Sequence, residues 1–209
     1  NLELDDDGHY YEAYNYAVGE SMEPGSTFKL ASFMVALEDG LIELDDTVDT
    51  GDGKVRYYDK TVRDTRREGY GKLTVKEVFE KSSNVGTSMI IYENYKANPG
   101  AFVDRLYRMG LNNKLGLDIK GEGTPLIRYP GDKYWSGISL PMMSHGYEVQ
   151  LTPLQLLTFY NAVANDGRMM KPRIVREIRY HGETIKTISP QVINPAICSK
   201  ATIGKAREL

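Results

Sequence analysis

The chain has 209 residues, of which 41% are hydrophobic and 26% charged, and a net charge of −3 at pH 7. A mildly acidic balance with no basic stripe among aromatics argues against a nucleic-acid partner, and no apolar run reaches the roughly 18–20 residues that a membrane helix needs. The single cysteine, Cys198, rules out an internal disulfide; this fits a reducing compartment or an exported protein that avoids thiols.

Residues 1–22 are acidic and then tyrosine-rich, without helical periodicity, and are expected to be loop and extended chain. From Ser26 to Asp39 the sequence predicts a helix, closed by Gly40. Leu30, Phe33, Met34 and Leu37 recur at helical spacing with Ala31, Val35 and Ala36 between them, so the helix has little polar face and belongs in a core. The Gly/Asp/Arg-rich stretch that follows contains KVRYYDKTVRDT, β-branched and aromatic enough for a short hairpin. Thr74 and Glu77 form a capping-box signature for a short helix through Val78 and Phe79. KSSNVG interrupts it, and TSMIIYENY resumes helical character.

Asn98 as cap and Pro99 at the first position start another helix, lined by Phe102, Leu106 and Met109 and ended by Gly110. The segment from there to Val149 reads as loop-rich. Thr152-Pro153-Leu154-Gln155 is a second capping box, opening a helix expected to bury Leu156, Phe159, Tyr160 and Val163 and to stop at Asn165-Asp166-Gly167. RIVREIRY and ETIKTI predict a hairpin turned at His181-Gly182, and Lys200 to Leu209 predict the first turns of a last helix. There are no internal repeats.

Chemistry can be sought first at Ser26 and Lys29. Three residues along a helix place two side chains on one face, so the amine can reach the hydroxyl. A serine hydroxyl is a poor nucleophile until a base takes its proton, and a lysine can be that base when burial lowers its pKa. Free N–H groups at a helix start favour an oxyanion. Ser-x-x-Lys is nevertheless expected by chance about once in a chain of this length, and Ser26 as a plain N-cap with a solvated Lys29 explains the same residues. The second constellation is Lys81-Ser82-Ser83-Asn84, in the break between two helical segments. Other candidates are poorer. His9, His145 and His181 are dispersed and the cysteine has no partner, so no metal and no cofactor is expected. Asp5-Asp6-Asp7 and Asp45-Asp46 lack the spacing of a calcium loop, and Cys198 reads as a buried residue rather than a nucleophile.

Ser-x-x-Lys followed by Ser-x-Asn is the order of the first two motifs of the serine β-lactamases and penicillin-binding proteins. EPGSTFK together with KSSNVG, and downstream GYEVQLTPLQLLTFYNAVANDGRMMKPRIV, resembles the transpeptidase domain of class B penicillin-binding proteins. Glu23 is more similar to the septal, FtsI-type branch; Leu30 stands where many members have proline. The resemblance implies an α+β fold, here mainly its helical lobe without most of the central antiparallel sheet. It implies that Ser26 attacks the penultimate D-alanine of a peptidoglycan stem peptide, that Lys29 deprotonates Ser26, that Ser82 relays a proton and that Asn84 holds substrate and Lys29. Ser83, His145 and Gly146 are expected to line the substrate. β-Lactams would acylate the same serine, and stem peptides and division proteins would be partners at the extracytoplasmic face of the membrane.

The third motif is missing: Lys-Thr-Gly, Lys-Ser-Gly and His-Thr-Gly occur nowhere in the 209 residues. With no initiator methionine or signal peptide either, residues 1–209 are expected to be a partial transpeptidase domain, inactive by itself and prone to self-association. A D,D-carboxypeptidase or β-lactamase relative, and a non-catalytic scaffold of the same fold, are the alternatives.

Overall fold

The computed structural model describes residues 2–209. A hairpin of β1 (Leu2–Leu4) and β2 (Tyr10–Glu12) leads into one helical turn, α1 (Tyr16–Gly19). The extended chain expected for residues 1–22 is therefore interrupted by a helical turn too short to show periodicity. A 3-10 turn over Gly25–Phe28 then runs straight into α2 (Lys29–Glu38).

Helix α2 is the axis of the molecule. Every residue from Lys29 to Leu37 is buried, because the side chains after Lys29 are small or apolar on all faces and neighbours can close around them. It ends as expected at Gly40, whose φ of +66° suits the left-handed residue after a helix. Gly40 N–H donates to Leu37 O and Leu41 N–H to Ala36 O, the pair of bonds that defines a Schellman stop.

The next segment pairs β3 (Thr47–Asp49) with β6 (Lys72–Thr74) and, between them, β4 (Lys54–Tyr57) with β5 (Lys60–Arg63), the predicted hairpin. Thr74 caps α3 (Val75–Glu80) in the predicted capping box with Glu77. Helix α4 (Asn84–Tyr95) starts three residues earlier than the change of character in the sequence suggests, because the Ser83 side chain caps it. Helix α5 (Pro99–Arg108) has the expected proline at its start, but Asn98 makes no side-chain cap.

The loop-rich region contains β7 (Leu126–Ile127), which pairs with β8 (Val149–Gln150), and a short helix, α6 (Ser139–Ser144). Helix α7 (Pro153–Ala164) carries the second capping box, from Thr152 and Gln155. It buries Phe159 and Val163, whereas Tyr160 is exposed. The chain closes through β9 (Met169–Met170), β10 (Glu177–Tyr180), β11 (Glu183–Thr187), β12 (Val192–Asn194) and α8 (Lys200–Ala206). The β10–β11 hairpin turns at His181 and Gly182, both at positive φ, as a two-residue hairpin turn requires.

The fold is α+β and mainly helical. Among the described residues the strands pair only two by two, so no wide antiparallel sheet is present. One core unites α2 with α4, α5, α7 and α8 through Phe33, Met34, Ile91, Phe102, Leu106, Phe159 and Ile203. Among the described residues no helix is long and apolar enough to cross a membrane.

Candidate active site

Ser26 lies exposed in the 3-10 turn, and Lys29 follows one turn later with its side chain driven into the protein. Lys29 is only 1% exposed. Its Nζ donates to Ser82 O at 2.6 Å, to Ser82 Oγ at 3.0 Å and to Asn84 Oδ1 at 2.7 Å. An ammonium has three donors, and all three are directed to the turn between α3 and α4. The Lys29 backbone N–H donates to Ser26 O and closes the 3-10 turn, but among the described residues no side-chain hydrogen bond joins Ser26 to Lys29. A buried cation takes the oxygens that best offset its lost hydration, and these belong to the more distant segment.

Burial pushes the Lys29 pKa down from 10.5 to about 8, against an opposing pull from the Asp64 carboxylate. At pH 7 about one molecule in ten then carries a neutral amine. A free lysine would supply a few in ten thousand, roughly.

The α3–α4 turn is a Schellman stop of unusual composition. Ser83 N–H donates to Val78 O and Ser82 N–H to Phe79 O. This puts Ser82 at the left-handed position, with φ 51°, where glycine is preferred. Serine at that position aims a hydroxyl at Lys29 at a cost in backbone strain, a pattern associated with functional sites. Lys81, one residue earlier, is exposed and pairs with Glu77 at 3.7 Å.

The three residues expected to line the substrate are all buried. Ser83 is 0% exposed; its Oγ accepts from Gly86 N–H and donates to Asp64. His145, 3% exposed, sits edge-on to Tyr147 with its Nδ1 3.4 Å from Ser144 Oγ. Burial first, and the Lys29 charge second, push its pKa down to about 4, so the ring is neutral at pH 7. Gly146 is buried against the turn that carries Ser26: its carbonyl accepts from Gly25 N–H at 3.0 Å. A Cβ on Gly146, whose φ is +86°, would fall 2.0 Å from Gly25 O. His145 and Gly146 thus underlie Lys29 and Ser26 instead of lining a cleft.

Further contacts hold the turn. Glu23 accepts from Glu148 N–H at 3.0 Å, Thr27 Oγ1 donates to Pro24 O at 2.7 Å, and the exposed Tyr160 donates its hydroxyl to Thr27 O at 2.9 Å. Asp64 and the Arg63 carbonyl, at the end of β5, contact the α3–α4 turn at Ser83, Val85 and Asn84. No local pattern marks either residue in the sequence; the only hint is that the predicted hairpin ends there. Among the described residues no cluster of metal-ligating side chains occurs. Cys198 is half-buried, and its pKa is pushed up to about 12 by burial and by Glu38.

Residues 3–209 match the model of the penicillin binding protein transpeptidase domain. The chain is 32% identical over 186 residues to penicillin-binding protein PbpB of Mycolicibacterium smegmatis, covering 85% of this chain and 28% of that protein. It is 34% identical over 154 residues to the peptidoglycan D,D-transpeptidase FtsI of Escherichia coli K12, covering 73% and 24%. It thus spans about a quarter of the length of these curated relatives. Penicillin-binding protein 3 of Mycobacterium tuberculosis, solved in complex with aztreonam, superposes with a TM-score of 0.76 at 30% identity, over 97% of this chain and 43% of that one.

Proposed function

Because the chain belongs to the penicillin binding protein transpeptidase domain family, we propose that Ser26 is the nucleophile of a peptidoglycan D,D-transpeptidase and Lys29 its base. The observation that carries this reading is the buried Lys29 amine, held by Ser82 and Asn84 one turn from an exposed serine. Lys29 first loses a proton to solvent, which its lowered pKa permits. As the Ser26 Oγ–C bond forms on the penultimate D-alanine carbonyl, neutral Nζ takes the hydroxyl proton. The amide C–N bond then breaks, and the departing D-alanine amine receives that proton through Ser82 Oγ, 3.0 Å from Nζ. An amine from a neighbouring stem peptide attacks the ester and returns Ser26 to its free form. A β-lactam would open on the same serine and leave a slowly hydrolysed ester.

The place of action would be the extracytoplasmic face of the membrane, in septal wall synthesis with division proteins as partners. Glu23 supports the septal branch. The Lys-Thr-Gly motif, absent from the 209 residues, would stand outside them, so residues 1–209 represent part of a transpeptidase domain. That motif would supply one oxyanion donor and the anchor for the substrate carboxylate. Loss of one such donor costs about 10²–10³ in rate, and misplacement of the carbonyl adds to it. The 209 residues alone should therefore label negligibly with fluorescent penicillin, and a longer form that includes the third motif should label on Ser26. Intact-mass analysis of Ser26→Ala in that longer form decides the matter: a stoichiometric adduct on the variant rejects Ser26 as the nucleophile.

A further inference from the structure

We propose that Asp64 is a positioning residue for the Lys29 base, fastening the turn that carries Ser82 and Asn84 and facing the amine with a fixed negative charge. The proposal rests on the reading of Lys29 as the base for Ser26. Both carboxylate oxygens lie 3.0 Å from Ser83 Oγ, and Oδ1 also accepts from Val85 N–H at 3.0 Å. Asp64 is thereby an N-terminal cap for α4 supplied from another part of the chain, where a carboxylate meets both free amides and the positive end of the helix. Its own N–H donates to Gly53 O at 3.0 Å, which ties the carboxylate to the neighbouring turn.

The adjacent residue completes the brace. Arg63 O accepts from Asn84 Nδ2 at 3.1 Å, and this turns Asn84 Oδ1 towards Lys29 Nζ at 2.7 Å. One strand end therefore grips Ser83, Asn84 and Val85 in succession, leaving Ser82 with its strained backbone between α3 and this clamp. A neutral group of similar shape could make much of the same clamp. The charge does something else: it counters the burial that lowers the Lys29 pKa. The titratable groups facing Lys29 are Asp64 from the end of β5 and His145 from the end of α6; the α3–α4 turn contributes the neutral Ser82 and Asn84. With His145 neutral, Asp64 is the charged partner that holds the amine near a pKa of about 8.

The test is an NMR titration of Lys29 in the 209-residue chain labelled with ¹³C-lysine, the resonance being assigned with Lys29→Met. Asp64→Asn keeps a side-chain acceptor for Val85 N–H and removes the charge, so the Lys29 midpoint should move down from its wild-type value. Asp64→Glu keeps the charge and lengthens the side chain. Its midpoint should stay near wild type, while amide exchange at Val85 and Gly86 speeds up. Equal midpoints in wild type and Asp64→Asn, or the same displacement in both variants, overturn the proposal. Should Asp64→Asn not fold, Asp64→Glu decides through exchange at Val85 and Gly86, and unchanged rates reject the clamp. The titration needs no turnover, so it can fail while the transpeptidase reading stands; penicillin labelling of Ser26 tests that reading separately.

Discussion

Lys29 Nζ lies 2.7 Å from Asn84 Oδ1, 55 residues away in sequence, and makes no hydrogen bond to Ser26, its neighbour one turn back. The Lys29 amine is therefore seated by a tertiary contact, and Ser26 lies exposed beside it.

The buried amine gives stability a definite pH dependence. Its pKa is about 8 in the folded chain against 10.5 for a free lysine, so between these values the unfolded state binds more protons than the folded one. Stability contributed at this position therefore rises with pH from about 8 to 10.5, by about 3 kcal/mol in total. Below pH 8 the full cost of the buried charge is present. Urea unfolding of wild type and Lys29→Met at several pH values should show the difference between them shifting in favour of wild type across that window. A difference independent of pH would mean that Lys29 titrates as an ordinary surface lysine.

Ser82 allows strain and function to be separated. At φ 51° a glycine relieves the backbone by about 1 kcal/mol relative to alanine, whereas within a helix the order is the reverse. Ser82→Gly should thus be more stable than Ser82→Ala, although both lose the hydroxyl that meets Lys29. In a form that reaches the third motif, both should acylate far more slowly than wild type. Denaturation midpoints check the first statement, and alanine proving the more stable would remove the strain argument.

Gly146 has no such latitude. A methyl group there would meet the Gly25 carbonyl oxygen at 2.0 Å, on a backbone already at φ +86°, so the backbone of the turn that carries Ser26 must move. Gly146→Ala should cost about 3 kcal/mol or more, in the range of severe single substitutions, and should displace Ser26. A thermal midpoint within a degree of wild type would show that the contact is slack.

The outer surface predicts association. Ile174, Val175, Ile178 and Ile185 are all exposed on and beside the β10–β11 hairpin, as are Leu2 and Leu4 on β1, and every two-stranded ladder has open edges. The 209-residue chain should self-associate at high concentration, and the double variant Ile174→Lys/Ile185→Lys should do so less. Light scattering that reports a monomer throughout would contradict this expectation.

Local chemistry is what the sequence determined. The apolar run of α2, the Thr74–Glu77 and Thr152–Gln155 boxes, Gly40 as a stop and His181-Gly182 as a turn all depend on neighbours three or four residues apart, and each stands in the structure where its pattern predicts. The motif residues Ser26, Lys29, Ser82 and Asn84 were legible for the same reason, as short strings. Their geometry was not. Only the tertiary structure seated the Lys29 amine on Ser82 and Asn84, buried Ser83, His145 and Gly146 as supports, left Tyr160 at the surface, and brought Asp64 to the start of α4. Those outcomes were set by competition for a few polar partners inside a closed core, where a buried amine must take the nearest oxygens whatever their place in the chain. No period of two or of 3.6 residues records that competition.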